Sequence, residues 1–494
     1  MRTMIVLSIS IFSGLIYCAV YAEDSYRSKK ADDYFNALKN TCEDKAQLGY
    51  ATDYREAFFD ILKKKPLSHQ NFKKLNMILD RAKCDPTQVE LYKKQTLKDF
   101  LPVIQTELDN IKTDIEEFQK QNLNIGTHLK MYLDLKKEYQ VPPSDYDKVV
   151  TELKKTPSTN PNRKESCSDV MNLKSPLDAS APKNQDSIGW CYAYTASDLI
   201  ANATGVNPSS VYMAKLMNSK FNNNRSSFSK LLFKDSTEGG FINLAIDEAI
   251  NKGICTENDL PSTDYSFLKI NPKEVSKDSF VNLKKVIDRL IKIKEMVTDK
   301  NLKSKKEVEQ LLCDQKMTEP LSELFPNITL QKISQIILDF KTNELFSMLV
   351  DTECPIHKDT SLPAYQIKMT HFFDEQKTQL STIDKQLNEG NIVGIHYKAD
   401  FLFDYHKTGW LPNHASSIVG RRFNQETQSC EYLLRNSWGK SCSPYSSYYE
   451  CKDGHVWIAE QFFQYSDTIK QVIYLEEKNP VWVIKINPDV FKGL

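Results

Sequence analysis

Three short stretches, far apart in the sequence, carry residue types that together could do covalent chemistry. "NQDSIGWCYAYTASDLI" (184–200) holds Cys191 with an aromatic residue on either side. "PNHASSIVG" holds His414, and "LLRNSWG" holds Asn436 with Trp438 two residues on. A cysteine attacks as its thiolate, so it needs a lowered pKa and a base. A helix start helps, because its unpaired N–H groups and dipole favour negative charge. The run from Cys191 has helical character, with Ala193, Ala196 and Ile200 available for a packed face. Gly189 permits a tight backbone approach, and Gln185, six residues upstream of Cys191, carries an amide able to donate to an oxyanion. Taken alone, the stretch leaves three readings of this thiol open: a packed core residue, half of a disulfide, or a nucleophile. The other two stretches add a base and an orienter. His414 enters one strand-like segment and Asn436 leaves the next. On adjacent antiparallel strands the carboxamide can accept from one ring nitrogen and leave the other for the thiol, with Trp438 shielding the bond from water.

The elements that must position these groups follow from periodicity. Residues 23–155 read as helical: Leu101, Ile104, Leu108, Ile111, Ile115 and Phe118 form one stripe at three- and four-residue steps. "KTPSTNPNRKES" has the composition of a linker, over 156–166. Residues 167–265 are mixed and contain Cys191. Residues 266–380 return to helical period, with one stripe at Phe280, Leu283, Ile287, Leu290 and Val297 and another at Ile333, Ile336, Ile337 and Phe340. From about Ser381 to the end, 381–494, the period becomes that of strands. "IVGIHY", "ASSIVGRRF", "CEYLLRNS", "GHVWIA", "KQVIYL" and "VWVIKI" are short, rich in β-branched and aromatic residues, and predict one antiparallel sheet or barrel.

With these residues and elements in order, the chain resembles the papain-like cysteine peptidases. The match is carried by Gln185, then Cys191-Tyr192-Ala193-Tyr194 at a helix start, His414-Ala415 at a strand start, and Asn436 to Gly439 reading Asn-Ser-Trp-Gly ahead of "GHVWI". "EGGFINLAIDEAINKGICTENDLP" resembles the family's paired-glycine segment and the helix after it. The resemblance covers about 167–265 and 381–475. It implies an α+β, two-lobed fold, with a helical lobe, an antiparallel β-barrel lobe, an N-terminal helical region and a helical insertion between the lobes. It implies a secreted cysteine endopeptidase acting through an acyl-thioester on Cys191, with His414 as base, Asn436 as orienter, Trp438 covering that contact, and Gln185 as an oxyanion donor. Gly239 and Gly240 would present backbone to substrate, and Phe241, Ile242, Asn413 and Ala415 would wall a mostly apolar pocket for the second residue before the scissile bond. A transpeptidase or amidase with the same triad, and a weakly active relative serving as an interaction protein, are the alternatives. The chain departs from the family at Ile188, where a cysteine is usual, at Tyr192, where Trp is usual, and at Trp190, where a small residue is usual and whose bulk is expected to narrow the cleft.

The remaining features set compartment and partners. Residues 1–22 read as a signal peptide cut after Ala22, and no later stretch is long and apolar enough to span a membrane. A secreted or periplasmic, oxidising compartment follows, in which most cysteines pair. Of the eleven cysteines, Cys18 leaves with the signal. If Cys191 stays a free thiol, an odd number remains, so a further cysteine is left unpaired within the chain. Cys442 with Cys451 is the expected local bridge. Lys+Arg and Asp+Glu balance at 65 each, which gives no electrostatic basis for nucleic-acid binding. Expected partners are protein or peptide substrates. Residues 23–155 are expected either to inhibit the site within the molecule, as a pro-segment, or to serve as an accessory domain. The chemistry needs no metal and no cofactor. The strand-borne His396 and His455 read as ordinary strand or surface residues.

Overall fold

The computed structural model describes residues 86–155, 166–224, 239–262, 283–354, 362–399 and 413–478, apart from Leu402, which is described, and 179, 186, 187, 373, 443, 444, 447, 448, 466 and 467, which are not. The signal peptide, residues 23–85, most of the linker and "VWVIKI" lie outside the described residues.

Among the described residues three helices come first: α1 (Pro86–Lys120), α2 (Gly126–Glu138) and α3 (Tyr146–Lys155). The α1 stripe from Ile104 to Phe118 is buried, but Leu101 is 39% exposed, so the packed seam starts one turn later than the sequence pattern. Three helices then surround Cys191: α4 (Cys191–Thr204), α5 (Ser210–Asn224) and α6 (Ile242–Lys252). Five follow as an insertion: α7 (Leu283–Asp299), α8 (Lys305–Asp314), α9 (Thr318–Leu324), α10 (Leu330–Asp339) and α11 (Thr342–Glu353). Their boundaries have local causes. Ser304 accepts from the Glu307 N–H while the Glu307 carboxylate accepts from Ser304, a capping box that starts α8. Thr329 accepts from the Lys332 N–H and starts α10. The Cys255–Cys354 bridge ties the end of this insertion to the loop after α6.

The strands are β1 (Val170–Met171), β2 (Tyr365–Met369), β3 (Val393–Lys398), β4 (Asn413–Asn424), β5 (Ser429–Arg435), β6 (Cys451–Lys452), β7 (His455–Ala459) and β8 (Ile469–Glu477), with helices α12 (Gln376–Asn388) and α13 (Glu460–Gln464) between them. All pairings are antiparallel, in the order β2-β8-β3-β4-β5-β7-β6, with β1 also on β4. Among the described residues this sheet is open, because β2 and β6 end the order without pairing, and the expectation of a barrel is corrected to an open sheet. Two boundaries also move. β2 falls inside the stretch read as purely helical, and α12 carries the helix past Ser381 to Asn388.

Side-chain alternation along β3 separates two apolar clusters. Val393, Ile395 and Tyr397 belong to one cluster, with α1–α3, α12 and α13. Gly394 faces the other way: a Cβ there would meet Thr195 and Leu199 of α4 and Ile242 of α6. That second cluster joins α4–α6 to the inserted helices. The sheet thus has α4 on one face and the N-terminal helices packed from the other. Phe118 of α1 stacks on Tyr465 at 4.7 Å, and Gln461 donates to Thr127 of α2 at 2.7 Å. No described helix is long and apolar enough to cross a membrane.

Candidate active site

Helix α4 begins at Cys191 and is buried on every side as far as Asn202, which fits its run of Ala, Leu and Ile. Gly205, at φ +74°, ends it in the left-handed conformation that glycine adopts without a Cβ penalty. No side chain caps its N-terminus at Trp190, so the positive end of the helix dipole is directed at the cysteine. The helix is held against the sheet by charge. Asp198 accepts from Arg435 Nε of β5 at 3.3 Å and from Ser417 Oγ of β4 at 3.4 Å. Arg435 also donates to the carbonyls of Ser180 and Ala181, at 2.8 and 3.0 Å, and lies 3.1 Å from His455 Nε2.

His414 and Asn436 are brought together. His414 Nε2 lies 2.7 Å from Asn436 Oδ1. The same oxygen accepts from Ser416 Oγ at 3.0 Å and from the Ser437 N–H at 2.8 Å. A backbone N–H can only donate, so this atom is the amide oxygen, and His414 Nε2 must carry the proton. That tautomer leaves Nδ1 with its lone pair, the form a general base requires. The Trp438 ring lies 5.0 Å from the imidazole and stacks on Tyr445, and Tyr397 meets the imidazole edge-on at 5.6 Å. Burial in this aromatic box pushes the imidazole down to about 4, against the opposing pull of the Asn436 bond. His414 is therefore neutral at ordinary pH.

Gln185 reaches the same centre through a backbone clip. The Gln185 N–H donates to the Ser437 carbonyl at 2.8 Å, and the Gly439 N–H to the Lys183 carbonyl at 3.0 Å. Its carboxamide is oriented at both ends: Oε1 accepts from Ser437 Oγ, and Nε2 donates to the Ile188 carbonyl at 2.8 Å. An amide nitrogen has two protons, which leaves one for a ligand. Behind the clip, buried Lys183 donates to Ser197, the Pro208 carbonyl, Ser210 and Glu257. Gly439 sits at φ +71° beside Asn184, a conformation that explains a glycine after Asn-Ser-Trp.

The other expected site residues also have definite places. The Gly239 N–H donates to the Gly189 carbonyl at 2.9 Å. A Cβ on Gly240 would lie 2.6 Å from Tyr192 Cζ, so only glycine allows this approach. Phe241 precedes α6, Ile242 opens it, and Ala415 is buried on β4. Asn413 pairs with Lys398, and its side chain lies outside the described residues. Trp190 is fully buried, with its ring 5.9 Å from Phe346 of α11, so the insertion helps to house its bulk.

The cysteines bring one further correction. Cys167 pairs with Cys430 and Cys255 with Cys354, and Cys442 pairs with Cys451 as expected. Cys191, expected as a free thiol, is disulfide-bonded, and among the described residues Cys313 is exposed and free. The site is therefore seen in an oxidised form. Sequence reasoning also passed over Asp198, Ser416, Ser437 and His396. Asp198 and Ser416 carry no signal without the fold, because each acts through a partner more than fifteen residues away in sequence, and Ser437 was read only as part of the Asn-Ser-Trp-Gly run, not for its bond to Gln185.

No family model matches the chain, and no curated protein matches it. Solved structures do match, and they are papain-like cysteine proteases. A mite allergen chain, from work on Blo t 1 and Der p 1, is 11% identical, with 60% of this chain and 66% of that one covered, at a TM-score of 0.31. The ragweed pollen cysteine protease Amb a 11 in its proform is 11% identical, with 63% and 66% covered, at 0.31. Xylellain, a cysteine protease from Xylella fastidiosa, is 12% identical, with 63% and 86% covered, at 0.30. The chain thus spans just under two thirds of the mite and ragweed chains. Identities and TM-scores this low leave the chemistry to be derived from the side chains.

Proposed function

We propose that the chain is a secreted cysteine peptidase acting on protein or peptide substrates, with Cys191 as nucleophile, His414 as general base and Asn436 as its orienter. The observation that carries this reading is the His414–Asn436 pair in the tautomer a base needs, clipped through Ser437 to a Gln185 amide that has one proton to spare.

The steps follow from those atoms. An external thiol reductant first exchanges with the Cys191 disulfide, leaving the Cys191 sulfur and its former partner as thiols and the reductant oxidised to a disulfide. His414 Nδ1 takes the Cys191 proton, and the sulfur bonds to the substrate carbonyl carbon. The carbonyl electron pair moves to oxygen, where the second Gln185 Nε2 proton and the Cys191 N–H bind it. Each such donor contributes roughly 2.7–4 kcal/mol in comparable sites. Collapse breaks the C–N bond, and His414 returns its proton to the departing amine. Water, deprotonated by the same nitrogen, then releases the acid and regenerates the thiol.

The N-terminal helices bear on regulation. Residues 104–153 share a core with the sheet on the face away from α4, which supports reading them as a permanent part of the enzyme rather than a removable cover. The decisive experiment is hydrolysis of an unfolded protein after reduction, comparing the intact chain with its Cys191→Ala variant. Turnover confined to the former upholds the reading, and equal turnover in both rejects it.

A further inference from the structure

Among the described residues, His396 on β3 is a histidine near the catalytic centre for which the proposed mechanism has no use. It is 1% exposed on β3, and neither ring nitrogen has a hydrogen-bond partner. Leaving a buried polar group unpaired costs about 1–3 kcal/mol, so a fold that keeps one there forgoes stability. Its position says what could complete it. Gly394, two residues earlier on the same face of β3, lies against α4 and the first residue of α6. His396 itself pairs in register with Ala415, the residue after His414. Its ring meets that of Phe241 edge-on at 6.2 Å, and Phe241 itself is only partly buried. Phe241 and Ala415 are two of the four residues expected to wall the pocket for the second residue before the scissile bond.

We infer that His396 is the polar element of that pocket and selects substrates carrying a neutral hydrogen-bonding side chain there, a carboxamide above all, over the aliphatic side chains that the rest of the wall favours. This rests on the peptidase reading. A neutral imidazole offers one donor and one acceptor, and a carboxamide offers both as well, so it can pair with whichever nitrogen faces it. A hydroxyl can do the same with less reach. A carboxylate or an ammonium would have to be stripped of water beside neutral His396 and neutral His414, with no opposite charge among the described residues of this wall to meet it. An aliphatic side chain would leave the imidazole as unsatisfied as it is now. Sites built to hydrogen-bond a substrate group reject analogues that lack it far more strongly than apolar pockets reject a missing methylene.

The test is a set of reduced-enzyme assays on peptides differing only at that position: Gln, Asn, Ser, Leu, Phe, Glu and Arg. The expected kcat/KM is at least about tenfold higher for Gln than for Leu, in line with one recovered buried hydrogen bond. His396→Leu should invert this order, and His396→Gln should restore a preference for polar side chains, an effect that a merely structural role would not produce. If the histidine variants fail to fold, the intact enzyme still decides. Cleavage with Leu or Phe equal to or better than Gln overturns the assignment of His396 while leaving the peptidase reading standing. Cleavage of none of the peptides, or no dependence on Cys191, overturns the peptidase reading itself.

Discussion

Acid should unfold this protein in a window where its carboxylates are still ionised, because three histidines are held neutral inside it. His396 and His414 are pushed to about 4 by burial, His396 further by His414, and His455 to about 4 by burial and then by the Arg435 charge. In the unfolded chain each titrates near about 6.5. Between those values the unfolded state binds more protons than the folded one, so stability is complete above about pH 6.5 and is lost as pH falls toward about 4. At about pH 5 each histidine costs roughly 2 kcal/mol by linkage, and the three together cost on the order of 6 kcal/mol. That is comparable with the whole stability of a typical domain, about 5–15 kcal/mol. The assay is urea unfolding followed by tryptophan fluorescence from about pH 7.5 to about pH 5. His396→Leu should make the loss smaller by about 2 kcal/mol, since a group that no longer titrates contributes no slope. A stability that stays within about 1 kcal/mol over this range would refute the reasoning, because the buried histidines would then have to titrate normally.

Other outcomes follow from the same contacts. Gln185→Ala should lower kcat by about 100- to 1,000-fold while the fold is kept, read by steady-state kinetics beside circular dichroism. Asp198→Asn leaves Arg435 buried without its counter-charge and should cost about 3–5 kcal/mol in denaturant unfolding. Trp190→Ala, which empties the space against Phe346, should cost about 3–5 kcal/mol by the same measurement. With Cys191 disulfide-bonded, the isolated protein should be inactive until a thiol reductant is added, and full activity without reductant would contradict that.

How much of this was legible in the sequence depended on whether a feature is local. The stripe from Ile104 to Phe118 and the strands β3, β4, β5, β7 and β8 follow from periods that each segment carries by itself. β2 was missed because five residues inside a helical stretch give too little alternation, and the strand exists only by pairing with β8. The open sheet has the same origin: strand periodicity fixes which face is buried but not whether the edges meet. At the site, Gln185, His414 and Asn436 were readable from residue type, order and spacing. The Asp198–Arg435 tie, separated by 237 residues, was not, and neither was the pocket that α11 provides for Trp190. His396 was dismissed because a histidine on a strand is usually ordinary. Only burial without a partner distinguishes this one.

The central claim is that Cys191, once reduced, is a nucleophile activated by His414. Its most direct measurement is mass-spectrometric mapping of the reduced protein after brief treatment with a peptidyl epoxide that alkylates activated thiols. The account predicts a single adduct on Cys191, abolished in His414→Ala, even though Cys313 is exposed and free among the described residues. Labelling that prefers Cys313, or that stays equally fast on Cys191 without His414, would contradict it.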